Sequence, residues 1–527
     1  MFPENLVKNF YLGRYSDIIN YFKNKRRSQT ENIFLMITYH ATGHFFEFKE
    51  ILDILDKETD KIDLIVWKKI GKGLLADLES DYKTGSEEIH DILSEIDIFD
   101  PSFENLFKLY VILELNSLAR NTLRIKNILA LFKAMIEEIK PNENLKRKYF
   151  ESLYYYEFAN YYYILGDIEN CKEKINKAYS ISLELKNPRN IALTLNIYSI
   201  TCVLSGELDK AVEGYIQIEK IYRDLKHDLL HAAVLNNLGI RLSSKGEFNK
   251  ALDNMFKAIE LYEKLGIKNR QHIALHNVGC FYRQIGKYKQ SETYHQKALE
   301  IAEPLGISSV LGVYYLEYAH TKARIGVFNS DDPIFTKFPP KPYETPLMEA
   351  YYAAIKGFYH YTQKNWSDAI QWFEKAMKYL GVQYDMRLDI HELLADCSLH
   401  IWRKNSSLSS LNTVQHYFNS YEDICKTKEL HYLFCRIQFL RSQFEASRFQ
   451  IEQAKNHLQI CLKTAQDHKL PVFSSIATKE LDRLEKINTV APVIEEETSD
   501  GPFLEDILDY FHEALKISEN FVKEKKM

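Results

Sequence analysis

A chain of 527 residues is longer than one hydrophobic core supports, so several domains or a one-dimensional repeat array are expected. Lys plus Arg number 68 and Asp plus Glu 73, a formal net charge of −5, which argues against a nucleic-acid binder that works by neutralising phosphates. With 13 Pro and 19 Gly the chain favours long helices over a turn-rich β fold, and 46 % hydrophobic residues suit a soluble globular protein.

Seven cysteines, an odd number with no CxxC, point to a reduced cytoplasmic chain. The opening Met1-Phe2-Pro3-Glu4-Asn5 shows no basic stretch followed by an apolar one, and no run of about 18 apolar residues occurs anywhere. A cytoplasmic location without membrane contact is therefore expected.

In chain order, FYLGRYSDIINYF at 10–22 places the turn Gly13-Arg14-Tyr15 before a helix, and Thr42-Gly43-His44-Phe45-Phe46 repeats that turn. From 61 to about 140 the apolar residues keep helical spacing without a clean repeat mark. Residues 1–149 are read either as degenerate helical repeats or as a distinct N-terminal helical domain.

A regular array occupies 150–328. Gly166, Gly206, Gly246, Gly286 and Gly326 each come after an apolar helix and stand 40 residues apart. Lys186, Lys226, Gly266 and Gly306 keep the same beat at the ends of the alternate helices. Each unit reads as two helices, about 231–244 and 249–265 in the clearest one. Leu235, Leu238, Gly239 and Leu242 make one apolar stripe, with Gly239 expected where two helices cross closely. Ala251, Met255 and Ala258 form the narrow inner stripe of the second helix.

Residues 329–347 carry Pro333, Pro339, Pro340, Pro342 and Pro346 and cannot continue a helix. This insertion replaces the second helix of the fifth unit. It is read as a surface loop sealing a repeat junction, with a segment that folds over a groove as the alternative. Helical repeats resume over 348–487, with a serine-rich break at 406–410. The acidic stretch 488–502 is a linker. A last amphipathic helix in 503–527, with Leu504, Ile507, Leu508, Phe511 and Leu515 on one side, is expected to cap the array, occupancy of the groove being the alternative.

The series Leu275, Val278, Gly279, Tyr282, Gly286, Tyr288, Ser291 and Ala298 resembles the tetratricopeptide repeat, with its L-G-x-x-Y, turn glycine and paired small residues. The period of 40 is longer than that family's minimal unit, and is similar to that of kinesin light chains, spindle-orientation adaptors and Rap-type peptide-sensing regulators. The resemblance implies an all-α fold, an α-solenoid in which antiparallel helix pairs wind into a right-handed superhelix. It also implies a concave binding face lined by the first helix of each pair.

Residues placed on that face are Asn196, Asn236, Asn237, Arg241, His276, Asn277 and Arg283. A carboxamide both donates and accepts, so Asn237 and Asn277, one period apart, suit the backbone of an extended peptide; bridging neighbouring helices is their other reading. Arg241 and Arg283 suit acidic groups. His272 and His276 are one helical turn apart with His295 on the next helix, but no HExxH or carboxylate accompanies them, and no metal or cofactor is expected. No phosphate loop, nucleophile elbow or Cys-His-Asp pattern marks a catalytic residue, so the chain reads as a non-enzyme. The expected function is a scaffold or adaptor that binds a protein or peptide partner, with no nucleic acid and no membrane. The alternatives are a peptide-responsive regulator with its effector in 1–149 and a non-catalytic subunit of an enzyme complex.

Overall fold

The structure, a computed structural model, describes residues 2–23, 25–58, 62–79, 81–338, 345–380, 384–427, 431–468 and 470–490. The helix expected in 503–527, and all but the first residues of the linker before it, lie outside this set. The described residues form 25 α-helices and no strand, as the low Gly and Pro content led one to expect. None of these helices is long and apolar enough to cross a membrane.

The N-terminal region holds α1 (Glu4–Tyr11), α2 (Tyr15–Phe22), α3 (Gln29–Thr42), α4 (Phe45–Asp56), α5 (Ile62–Glu79), α6 (Tyr82–Glu88), α7 (Phe103–Leu118) and α8 (Thr122–Glu137). The regular array runs through α9 (Asn144–Leu165), α10 (Ile168–Leu185), α11 (Pro188–Leu204), α12 (Leu208–Asp224), α13 (Asp228–Ser244), α14 (Phe248–Leu265), α15 (Lys268–Gln284), α16 (Tyr288–Ala302) and α17 (Ser308–Ile325). Beyond it come α18 (Ile334–Lys337), α19 (Pro346–Thr362), α20 (Trp366–Tyr379), α21 (Tyr384–Asn405), α22 (Leu408–Thr427), α23 (His431–Ser447), α24 (Ile451–Asp467) and α25 (Pro471–Val490). The chain divides into two compact units, residues 1–277 and 278–527, and the division falls inside α15.

The 40-residue beat is a beat of helix ends. Gly166, Gly206, Gly246, Gly286 and Gly326 all take positive φ, from 76° to 80°, and turn the first helix of each pair into the second. At the other turn Gly266 and Gly306 use the same left-handed conformation, but so do Lys186 and Lys226, each at φ 56°. A Cβ in that region is strained, so these two lysines are held there by the buried residues next to them, Asn187 and His227. Helix α13 begins three residues before the expected 231, because the His227 imidazole accepts from the Leu230 amide at 3.3 Å and supplies the N-cap.

Gly239 lies where two helices touch, as its place in the apolar stripe implied. A Cβ there would stand 2.6 Å from Met255 Cγ and 2.9 Å from the carbonyl oxygen of Ala251. Main chain cannot yield as a flexible side chain can, so α13 and α14 pack at this distance because residue 239 has no side chain.

Among the described residues of the second unit, α17 has no long partner helix before α19. Residues 327–338 fill that place. Phe328, Ile334 and Phe338 are buried, and the Phe328 and Phe335 rings stack at 5.2 Å. Lys356 Nζ lies 4.3 Å from the Phe335 ring centre, and Gln363 Nε2 donates to the Phe328 carbonyl at 2.9 Å. This apolar plug supplies the burial a second helix would have given; residues 339–344 lie outside the described set.

Candidate functional site

The first unit builds its site from two parts of the chain. The turns of the N-terminal helices meet the loops that enter successive array helices. Asn187, at the start of α11, donates from Nδ2 to the carbonyls of Phe10 and Tyr11 at 3.3 and 3.0 Å. One period later, a Cβ on Gly43 would stand 2.2 Å from His227 Nδ1, at the start of α13. At the start of α15, Asn269 Nδ2 donates to the Glu79 carbonyl at 2.8 Å. Turns that the sequence marked at Gly13 and Gly43 are therefore docking points.

Apolar packing joins the same two parts. Phe10, Tyr11, Phe34, Phe103 and Phe107 of the N-terminal helices share one buried core with Tyr149, Phe150, Leu229, Ala232, Leu235 and Ala274 of the array. The Phe10 and Tyr149 ring centres are 6.0 Å apart, and those of Phe103 and Phe150 also 6.0 Å. Cutting at residue 149 would open this core.

A set of ionisable groups is enclosed at the same junction. His40 Nε2 lies 3.0 Å from Asp77 Oδ2, and the Tyr110 hydroxyl donates to Glu114 Oε1 at 2.8 Å. Asn160 Nδ2 donates to Glu157 Oε2 at 3.3 Å, while Glu157 Oε1 has no partner among the described residues. Arg189 is buried nearby, its Nε likewise without a hydrogen bond. Burial pushes the Glu157 carboxyl up to about 7, against the pull of the Asn160 hydrogen bond and of the Arg189 charge. Burial also lifts Glu114 to about 7, with Arg189 opposing and Asp77 and Glu157 adding to the rise. His227 is held well below the usual histidine range by burial and by Arg189, so it stays neutral and able to accept the Leu230 amide.

The residues expected on the concave face fall into distinct settings. Asn196 and Asn237 are half-buried on α11 and α13, and Asn236 is buried beside them. Asn277 Nδ2 donates to Asn236 Oδ1 at 3.1 Å, so this pair links α15 to α13. Its carboxamides are used, at least in part, in the bridging role. His276 is buried. Arg241 is half-buried and has no ion pair among the described residues, its Nε lacking a hydrogen bond.

Arg283, in the second unit, is placed otherwise. Its guanidinium binds Glu317 Oε2 at 3.0 Å and Asp389 Oδ2 at 2.8 Å. A ladder continues from there: His320 Nδ1 lies 3.7 Å from Asp389, Arg324 Nη2 is 2.8 Å from Glu392 Oε1, and Arg436 Nη2 reaches the same oxygen at 2.8 Å. Helices α15, α17, α21 and α23 are thus cross-linked by ion pairs. His320 stacks on Phe358 at 4.6 Å and is held neutral by burial and by the charges of Arg283 and Arg324. Arg283 is already neutralised.

Residues 230–303 match the family model of the tetratricopeptide repeat. That stretch is a tetratricopeptide-repeat segment. No curated protein sequence matches the chain. Among solved structures, the apo form of RapI is similar at 13 % identity and TM-score 0.47, over 76 % of this chain and 98 % of its own. The apo quorum sensor NprR from B. thuringiensis is similar at 15 % identity and TM-score 0.42, over 75 % and 97 %. Yeast Tom70 is similar at 13 % identity and TM-score 0.35, over 93 % and 97 %. Likeness this distant transfers no ligand and no activity.

Sequence reading missed the enclosed groups of the repeat array's first unit. One signal was present: Glu157 stands 80 residues before Asn237 and 120 before Asn277, in the same register. Stepping the period back from the asparagines reaches an acid on α9. Asp77 falls in the same register, 80 residues before Glu157, whereas His40 and Glu114 stand at no whole multiple of the period from it.

Proposed function

We propose that the protein is an interaction scaffold that binds an extended segment of a partner protein on the first helices of the repeats in residues 150–277. The observation that carries this reading is the contrast between two arginines. Arg283 is ion-paired with Glu317 and Asp389, whereas Arg241 has no acidic partner among the described residues and stands on the same helix as Asn237. Half-buried carboxamides beside an uncommitted guanidinium suit a peptide backbone with an acidic side chain or terminus. Asn196, Asn237 and Arg241 are the primary contacts in this proposal, with Asn236 buried behind them in the bridge to Asn277. His276, Asn277 and Arg283 shape or stiffen the surface.

The alternative of a peptide-responsive regulator calls for an N-terminal effector that folds separately. The shared core of Phe10, Tyr11, Phe103, Tyr149 and Phe150 counts against that arrangement. A test is affinity capture with the intact chain beside the Asn196→Ala, Asn237→Ala, Arg241→Ala triple variant. Loss of specific partners at unchanged circular dichroism supports the proposal; retention of every partner ends it.

A further inference from the structure

Helices α23 and α24 bring two cysteines face to face. The inner stripe of α24 is Ala454, Leu458, Cys461 and Ala465, all buried, and small residues there let the α23 backbone come close. Cys435 of α23 and Cys461 of α24 are fully buried. Their contact is reciprocal: Cys435 Sγ lies 3.6 Å from the Cys461 carbonyl oxygen, and Cys461 Sγ lies 3.5 Å from that of Cys435. Side chains this short that each touch the other's main chain bring the two sulfurs together, and a disulfide between them needs about 4.4–6.8 Å between Cα atoms.

We propose that Cys435 and Cys461 form an oxidation-sensitive dithiol site, converted by a hydroperoxide to a disulfide that ties α23 to α24. Their interaction is also asymmetric. The mutual influence of the two thiols moves Cys435 well up and Cys461 down from the ordinary thiol range. Elsewhere burial raises cysteines, Cys171 to about 11 and Cys425 to about 12. The reciprocal contact serves either order of attack; with Cys461 as the attacking sulfur, Cys435 is the resolving one.

The electron count closes with hydrogen peroxide as oxidant. The Cys461 thiolate attacks one peroxide oxygen, an S–O bond forms, the O–O bond breaks, and the departing hydroxide takes a proton to leave as water. Cys435 sulfur then attacks Cys461 sulfur. The S–S bond forms as the S–O bond breaks, and the Cys435 proton leaves with the second water. Two thiols are oxidised by two electrons and one peroxide is reduced. The bond closes a loop between positions 26 apart, fixing the two helices of one pair.

The test uses the full-length reduced protein and hydrogen peroxide. After graded exposure, the protein is denatured, labelled with a polymer maleimide and digested for mass spectrometry. Two fewer labels, restoration by dithiothreitol, and one linked peptide pair holding Cys435 and Cys461, about 2 Da lighter than its reduced parts, are the expected results. Cys435→Ala and Cys461→Ala should each abolish the paired loss. The proposal fails if all seven thiols survive doses that oxidise a free-thiol standard. It fails equally if the linked pair joins other cysteines, or if Cys461 proceeds to sulfinic acid without a cross-link. The linked peptide is read in the wild-type chain, so the outcome stands even where a variant folds poorly.

Discussion

Asn187 holds the N-terminal helices to the repeat array with one carboxamide. Its Nδ2 donates to the carbonyls of Phe10 and Tyr11, while its Oδ1 accepts from the Asn190 amide at 3.2 Å and caps α11. Lys186, in the strained left-handed conformation, sets it in place.

Asn187→Ala should therefore lose a cap and leave the buried Tyr11 carbonyl without its donor, while the Phe10 carbonyl keeps the Gly13 amide. A cost of about 2–4 kcal/mol is expected from the sum of these effects. Urea unfolding and amide exchange in α1 and α11 would measure it; unchanged exchange in both helices would refute the docking role.

Lys186→Gly should act in the opposite direction. Removing the Cβ at φ 56° relieves left-handed strain, partly offset by the greater freedom of glycine when unfolded. A gain of about 0.5–1 kcal/mol is expected, seen as a higher urea midpoint. A lower midpoint would show that the lysine side chain does more than tolerate this turn.

The pH dependence of the first unit stems from Glu157 and Glu114. Both carboxyls are raised to about 7 in the folded chain, above the unfolded value of about 4.5. Their contribution is fully present below the unfolded value and is lost as pH rises through 7. Stability should fall between about pH 5 and pH 8, by an amount on the order of 3 kcal/mol for Glu157. Glu157→Gln, which stays neutral, should flatten this slope in chemical denaturation at several pH values. Identical slopes in both proteins would remove Glu157 as the cause.

The two arginines should separate stability from binding. Arg283→Ala strands Glu317 and Asp389 in a largely enclosed setting and should destabilise the second unit by about 3–5 kcal/mol. Arg241→Ala breaks no ion pair among the described residues and should cost less than about 1 kcal/mol while weakening partner capture. Differential scanning calorimetry beside affinity capture distinguishes them. Equal losses of stability would undo the contrast on which the proposed site rests.

The sequence by itself determined what is local and periodic in this protein. Turn glycines at 40-residue intervals, the stripe through Leu235, Leu238 and Leu242, and the helix contact at Gly239 follow from residues a few positions apart. The Pro-rich interruption after α17 was equally plain, since proline cannot continue a helix. Of the proposed face, the positions of Asn196, Asn237 and Arg241 were readable from the repeat register. Whether a side chain at such a position is open or occupied was not. Arg241 and Arg283 look alike in the chain, and only the fold brings Asp389, 106 positions away, to one of them. Likewise, only the fold sets Gly43 against His227 and encloses Glu157 with Arg189. Helical periodicity follows from hydrogen bonds four residues apart, so it is written into every short segment. Which distant helices meet depends on how small rotations accumulate along a repeat stack and on which surfaces are left to bury, and no short segment carries that information.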